Sequence, residues 1–196
     1  MRRSRRLVGG VLVVAVTAVG CGSTGSGDVV SETRVVESFD RIEVSNGIAV
    51  EITVDPAAPA GVTSIYDDNL QERIITEVTE GTLVIEVRGN IIAPGSGRMV
   101  KVAMPVLIGL LADGGAHVQA VGAADQLELR AEGGAAVDLE GFVVQTMDIG
   151  LGGGSTATVN TVLEITGQVT GGATLTLTNS PVSRDLDVSG GGKVNE

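Results

Sequence analysis

Short runs of alternating apolar and polar residues repeat about every nineteen residues along the second half of the chain. The repeats are marked by pairs of glycines that follow one another in steps of 19, 20, 18 and 19 residues. These pairs are Gly114-Gly115, Gly133-Gly134, Gly153-Gly154, Gly171-Gly172 and Gly190-Gly191. Four of the pairs are followed by runs in which every second residue is apolar or small: AHVQA, AAVDL, STATV and ATLTL. Alternation with a period of two residues predicts strands with one buried face.

Alignment of the repeats predicts rows of apolar side chains that stack from one repeat to the next. One row contains Val118, Val137, Ala157 and Leu175, and another contains Ala120, Leu139, Val159 and Leu177. A second run precedes the glycine pairs, with the triplets Leu127-Glu128-Leu129, Met147-Asp148-Ile149, Leu163-Glu164-Ile165 and Leu186-Asp187-Val188. Each repeat thus predicts a strand, a glycine corner, a second strand and a short turn. Glycine suits the corner because it adopts positive φ without a Cβ clash.

A repeat of this length cannot bury its apolar face alone, whereas stacked copies share one continuous core. The sequence therefore predicts an all-β domain, a right-handed parallel β-helix with coils of about 19 residues. A β-sandwich of antiparallel hairpins is the alternative. No apolar period of 3.6 residues is sustained over residues 28–196, which argues against helix. The N-terminal section is less regular, although Ile42–Ile52 matches the strand, corner and strand pattern.

The first residues of the chain have the pattern of an export signal. Four arginines within residues 2–6 precede an apolar stretch at residues 7–19, which is too short to span a bilayer. The segment Ala18-Val19-Gly20-Cys21 resembles the lipobox of bacterial lipoproteins, which implies that Cys21 carries the lipid. Both general and twin-arginine export remain open. We predict a signal peptide at 1–20, the lipidated Cys21 with a flexible tether at 21–34, and one domain at 35–196.

The charge of the chain without its signal segment excludes one class of partner. Nine basic and 24 acidic residues remain, which gives a net charge near −15. Such a surface repels phosphate backbones, so we expect no nucleic-acid binding. Anionic lipid headgroups would also repel it, which predicts a domain that stands away from its own membrane.

Residues that support catalysis or metal binding are scarce. His117 is the sole histidine and is predicted to point outward, and Cys21 is the sole cysteine, so no zinc site or nucleophile–histidine pair is expected. Residues 133–138 resemble half of a calcium-binding nonapeptide repeat, but the other corners lack the aspartate. The centres of the four triplets form a predicted acidic row, interpreted as a solvated face or as a weak cation strip: Glu128, Asp148, Glu164 and Asp187. We predict no enzyme activity and no cofactor, with a polysaccharide-active enzyme as a remote alternative.

Several segments together resemble the head GIN domain family, a group of auto-transporter adhesins. They are an opening Phe-Asp-Arg-Ile-Glu-Val-Ser-Asn-Gly at Phe39–Gly47, the stretch Asp68–Ile85, a Val-x-Met-Pro entry at Val102–Pro105, and the repeated glycine corners. The resemblance covers residues 35–196. It implies a right-handed β-helix exposed at the cell envelope, and it supplies no catalytic motif.

Two functions fit this reading of the sequence. The first is a lipid-anchored binding or scaffold module, adhesin-like, whose partner is a cell-wall polymer. The second is the sensory or partner-docking domain of an envelope-stress system, which receives an envelope protein by strand addition. The open end of the stacked coils also predicts self-association. Both functions place the domain outside the cytoplasm, on the membrane through its lipid.

Overall fold

The computed structural model describes residues 22–92 and 96–196, and it confirms the predicted all-β class. The predicted signal peptide at 1–20 and Cys21 lie outside the described residues. A short 3₁₀ helix at Asp68–Arg73 connects two of the strands. The strands are β1 (Ser23–Thr24), β2 (Val29–Arg34), β3 (Arg41–Val44), β4 (Ala49–Val54), β5 (Gly61–Asp67), β6 (Ile74–Thr79), β7 (Thr82–Val87), β8 (Ile91–Ile92), β9 (Met99–Met104), β10 (Gly109–Ala112), β11 (His117–Ala131), β12 (Ala136–Leu151), β13 (Thr156–Val169), β14 (Thr174–Leu177), β15 (Ser183–Val188) and β16 (Lys193–Asn195).

The strands that follow the glycine corners form one parallel ladder. Its order is β9, β4, the first part of β11, β12 and β13, then β14 and β16. The first predicted row is confirmed position for position: Val118, Val137, Ala157 and Leu175. In the second row all four side chains are buried, and Leu139, Val159 and Leu177 pair in register. Ala120 pairs with Ile52 of β4 but has no partner in β12, because the register of β11 against β12 shifts after Gln119.

The strands that precede the corners form a second parallel ladder, in the order β7, β3, β10, β11, β12, β13 and β15. β11, β12 and β13 are 15, 16 and 14 residues long and take part in both ladders. Their pairing is irregular between the two ladders, where each strand changes direction. We call one strand of the second ladder, the glycine corner after it and the following strand of the first ladder a coil.

Antiparallel strands cover the N-terminal side of the stack. β5 pairs antiparallel with β9 and β2, and β6 pairs antiparallel with β7. The sheet is therefore mixed rather than wholly parallel, and it curls until it is nearly closed. The alternative of a sandwich built from antiparallel hairpins is wrong, because the strands of successive coils pair in parallel.

The predicted boundary between the tether at 21–34 and the domain at 35–196 lies too late in the sequence, because residues 29–34 belong to the domain. The second half of the predicted tether is β2, which pairs with β5 along its full length. The Arg34 guanidinium also donates to the backbone and side-chain oxygens of Gln71 in the 3₁₀ helix. All residues of β2 except Arg34 are exposed, so the strand lacks the apolar alternation that reveals the others.

Aliphatic side chains fill the interior, with Phe142 as a fully buried ring. The predicted glycine corners are confirmed, since both glycines of each pair have positive φ. A different glycine marks the closest approach of two coils: at Gly167 (φ 133°) an added Cβ would lie 1.9 Å from the carbonyl oxygen of Ile149. No side chain fits between β12 and β13 at this position.

We predict that Gly167→Ala lowers the free energy of unfolding by about 2–5 kcal/mol, because it combines backbone strain with a clash against a backbone oxygen. Urea denaturation of the purified protein measures this change. The matched control is Gly61→Ala in β5, where φ is ordinary and an added Cβ has open space. Equal stability of the two variants would contradict the close approach.

Candidate functional site

The two parallel ladders present two outward faces. We call the outward residues of the ladder that precedes the corners the charged face, and those of the ladder that follows them the threonine face. Their chemistry differs, because the central charges of the charged face bond to one another, whereas a group of hydroxyls on the threonine face has no such bond among the described residues.

On the charged face, two arginines neutralise two neighbouring carboxylates. Arg41, Gly109, Glu128 and Asp148 lie side by side on consecutive strands. Arg41 Nη1 crosses Gly109 and donates to Glu128 Oε2 at 3.0 Å. Arg130 reaches Glu128 Oε1 with Nη2 at 3.3 Å and Asp148 Oδ1 with Nη1 at 2.5 Å. The repulsion between the two acids is thereby offset within the protein.

The predicted acidic row does not continue beyond this pair. Asp148 pairs with Thr166, whereas Glu164 lies two residues away, between Thr146 and Ser183. Asp187 pairs with Gln168. The reason is that the triplets lie at different distances from their corners. Glu128 and Asp148 are each five residues before the next glycine pair, whereas Glu164 is seven residues and Asp187 three residues before theirs. The geometric premise of a four-carboxylate cation strip is therefore wrong.

Glycines create two shallow depressions on the charged face. An added Cβ at Gly109 would lie 2.6 Å from Arg41 Nη1, and one at Gly150 would lie 2.8 Å from Arg130 Cδ. Each arginine thus lies across a glycine of the next strand. Gly150 and Gly152 line a depression of about 390 Å³, bordered by Arg130. These glycines let the ion pairs lie flat against the strands.

On the threonine face, hydroxyl groups stack in two rows. Thr156 pairs with Thr174, and Thr158 pairs with Thr176 on the neighbouring strand. Elsewhere, Thr146, Thr170 and Thr178 donate to backbone carbonyls of the adjacent coil. Within the described ranges, no such bond is found for the four stacked hydroxyls. They remain able to donate to and accept from a ligand.

A depression of about 350 Å³ adjoins these rows and includes the residues that motif analysis singled out. His117 is exposed there as predicted, between Ala49 and Ala136. Asp138, from the calcium-like half motif, accepts from the Glu140 N–H at 3.0 Å and from Gln119 Nε2 at 3.4 Å. In the described part of the chain, no group of three or more His, Cys, Asp or Glu side chains could hold a metal ion.

Away from both faces, a buried ion pair joins β5 to the residue that precedes β9. The side chains of Asp67 and Arg98 are 0% and 9% exposed. Arg98 donates through Nε to Asp67 Oδ2 and through Nη2 to Oδ1 at 2.9 Å. The Gly27 N–H donates to Oδ1 at 2.7 Å. No periodicity or motif marks this pair, so sequence analysis missed it.

The ion pair changes the acid–base behaviour of both partners. Hydrogen bonding from Arg98, helped by the Gly27 N–H and opposed by burial, lowers the pKa of Asp67 from 3.8 to about 2. The same hydrogen bond raises the pKa of Arg98. Burial raises the pKa of the neighbouring Tyr66 to about 12. Asp67 is therefore a permanent anion at neutral pH, which fixes the residues around it.

We predict a loss of stability in acid that depends on Asp67. Because its pKa is lower in the folded protein, the stabilisation is complete above about pH 4 and is lost as the pH falls towards about 2. As the pH falls through this range, the free energy of unfolding should decrease more steeply for the natural protein than for Asp67→Asn. An exposed acid, changed in Glu77→Gln, serves as the control. The expectation fails if Asp67→Asn and the natural protein have parallel pH profiles.

The described residues contain no helix that is long and apolar enough to cross a membrane. A comparison with curated proteins gives no significant match. Several solved structures are similar to this chain, including the following two. The "putative adhesin" from Bacteroides fragilis has 16% identity and a TM-score of 0.58, over 89% of this chain and 99% of its own. The "Putative lipid binding protein" from Parabacteroides distasonis has 13% identity and a TM-score of 0.56, over 88% and 98%.

A family model described as "Putative auto-transporter adhesin, head GIN domain" matches residues 38–122 and 108–181. These ranges together cover well over half of the chain, and they include the opening at Phe39–Gly47 and four of the five glycine corners. The predicted resemblance is therefore confirmed, and this protein belongs to the head GIN domain family.

Proposed function

We propose that this protein is a non-enzymatic binding module of the cell envelope, exported and held on the membrane by a lipid on Cys21. Membership in a family described as adhesins supports a binding role at a surface. The basic and apolar start of the chain, followed by the lipobox-like segment, supports export and anchoring. A diacylglyceryl group would supply the two acyl chains that stable anchoring requires.

The scaffold we propose for this role is a right-handed β-helix with an antiparallel N-terminal section. The parallel register of successive coils supports the helical winding. Its proposed hand follows from the strong preference of parallel crossover connections for the right-handed form. A winding of this kind holds out long, rigid faces, which suits binding to an extended polymer.

The threonine face is the proposed binding surface. The observation that carries this choice is the unused hydrogen-bonding capacity of its four stacked hydroxyls. The rows repeat at the strand spacing of about 4.8 Å across the coils. The charged face is less suited, because its guanidinium and carboxylate groups already bond to one another.

The charge of the protein narrows the class of ligand. A net charge near −15 repels anionic polymers, so the favoured ligand is a neutral, hydroxyl-rich glycan of the cell wall. We do not propose that the protein hydrolyses this glycan. The pair Glu128 and Asp148 lies in ion pairs on an open strand face, whereas a glycosidase holds its two carboxyls across a scissile bond.

A second candidate function is docking of an envelope protein or of another copy of the chain. β15 is an edge strand of the described sheet; Val182 just before it is 84% exposed, and Val188 at its end is 45% exposed. An edge with exposed apolar side chains is suited to strand addition. Cross-linking of membranes that contain the protein would detect such a partner.

We predict that loss of two hydroxyls weakens envelope binding. Residues 22–196, produced without the anchor, should co-sediment with cell envelopes stripped of protein. Thr158→Val combined with Thr176→Val keeps the side-chain shape but removes two hydroxyls that would bond to the glycan. We therefore expect binding to the envelopes to be about tenfold weaker. The control is Thr166→Val on the charged face. No sedimentation of the natural domain at any salt concentration would refute wall binding, and equal sedimentation of all variants would refute the chosen face.

We also predict that the anchor depends on Cys21. The mature protein should carry the added mass of a diacylglyceryl cysteine and should partition into the detergent phase. Cys21→Ser should abolish both properties while the domain remains folded. An unmodified thiol at Cys21 in the membrane fraction would contradict this prediction.

A further inference from the structure

Residues 22–28 are bound to the domain rather than free of it, and we call them the strap. β1 within the strap pairs in parallel with β8. The Ser23 N–H donates to the Asn90 carbonyl at 3.0 Å, and the Gly25 N–H donates to the Ile92 carbonyl at 2.8 Å. The hydrogen bonds of the strap to the domain therefore begin two residues after Cys21.

Side chains of the domain hold the rest of the strap. Asn69 bonds in both directions: Nδ2 donates to the Thr24 carbonyl at 2.9 Å, and Oδ1 accepts from the Ser26 N–H at 3.0 Å. The Ser26 hydroxyl donates to Asp68 Oδ1 at 2.5 Å. At the end of the strap, the Asp28 carbonyl accepts from the Asp68 N–H at 3.0 Å. Every residue from Ser23 to Asp28 thus has a hydrogen bond to the domain.

The buried Asp67 fixes the middle of the strap. Its carboxylate, aligned by Arg98, accepts from the Gly27 N–H at 2.7 Å. It also lies so close to the chain that a Cβ added at Gly25 would be 2.6 Å from its carboxylate carbon. Gly25 of the GSTGSG segment therefore permits close contact with an anion, which is a different role from that of a flexible linker.

We infer that the strap orients the domain on its membrane, with the end formed by Asn90–Ile92 against the lipid surface. This inference rests on the proposed lipid anchor at Cys21. One trans peptide separates the Cα atoms of Cys21 and Gly22 by about 3.8 Å. Gly22 itself lies against Ile92, since an added Cβ would be 3.4 Å from Ile92 Cγ1. Acyl chains on Cys21 must therefore enter the bilayer beside this end of the domain.

The chemistry of that end suits a lipid interface. Ile92 is 57% exposed and presents an apolar side chain next to the proposed anchor. Arg88 and Asn90 are exposed in the same turn and can contact headgroups. The rest of the acidic domain extends away, because the strap is held at the β5–β9 side of the stack and β16 lies six strand steps from β9. At about 4.8 Å per step, that distance is about 29 Å.

The test places a fluorescent label at each end of the lipidated full-length protein. Asn90→Cys and Asn179→Cys provide exposed attachment sites, since the native cysteine is blocked by its lipid. The proteins are reconstituted into phosphatidylcholine vesicles that contain a nitroxide-labelled headgroup lipid. We expect the label at position 90 to be quenched at least threefold more than the label at position 179.

Strap variants test the cause of the orientation. Gly25→Ala should reduce the quenching difference at least twofold, and Gly61→Ala in open space should leave it unchanged. If Gly25→Ala fails to fold, Asn69→Ala replaces it, because this exposed side chain holds only the strap. Equal quenching at both positions in an acylated, vesicle-bound protein refutes the proposed orientation and leaves the lipid anchor standing. If Cys21 carries no acyl mass, both the anchor and the orientation are refuted.

Discussion

The register between successive coils is the constraint on which the rest of the structure depends. A coil of about nineteen residues buries its apolar residues only when the next coil covers them, so each inward residue needs a partner at the same position of its neighbour. Glycine corners make this repetition feasible, because they allow the same sharp change of direction in each coil without a Cβ. Where the spacing of the corners varies, the strands between them absorb the difference through irregular pairing.

This constraint explains which parts of the fold were predictable. Each residue of the row from Val118 to Leu175 lies three residues after the second glycine of its corner, and no irregular pairing falls between the two. The acidic row was placed by matching triplets that lie on the far side of the irregular pairing in β12. Local similarity could not reveal that Asp148 lies opposite Thr166 instead of Glu164. The number of residues between a residue and its nearest corner therefore predicts which residues lie beside it in the next coil. Similarity between short segments that lie beyond a bend does not.

The N-terminal segment illustrates a second limit. A Gly- and Ser-rich stretch is typical of a linker by composition, and β2 lacks alternation because almost all of its residues are exposed. Both are bound by groups that lie about forty residues away in the sequence, namely Asp67, Asn69 and Gln71. Such contacts depend on single side chains and leave no periodic signal. Glycine can mean flexibility or close packing, and here the carboxylate beside Gly25 distinguishes the two.

The two outward faces differ in whether their polar side chains already bond to one another. On the charged face, Arg130 connects two carboxylates and leaves them little capacity for a ligand. On the threonine face, short β-branched side chains stack without using their hydroxyls, so a ligand need not displace an existing ion pair. If the strap holds its end of the domain at the membrane, β13 and β14 lie four and five strand steps from β9, about 19–24 Å outward. The proposed lipid anchor and the threonine face would then work together, because the strap would hold the hydroxyl rows at a set height above the bilayer, within reach of the proposed wall polymer.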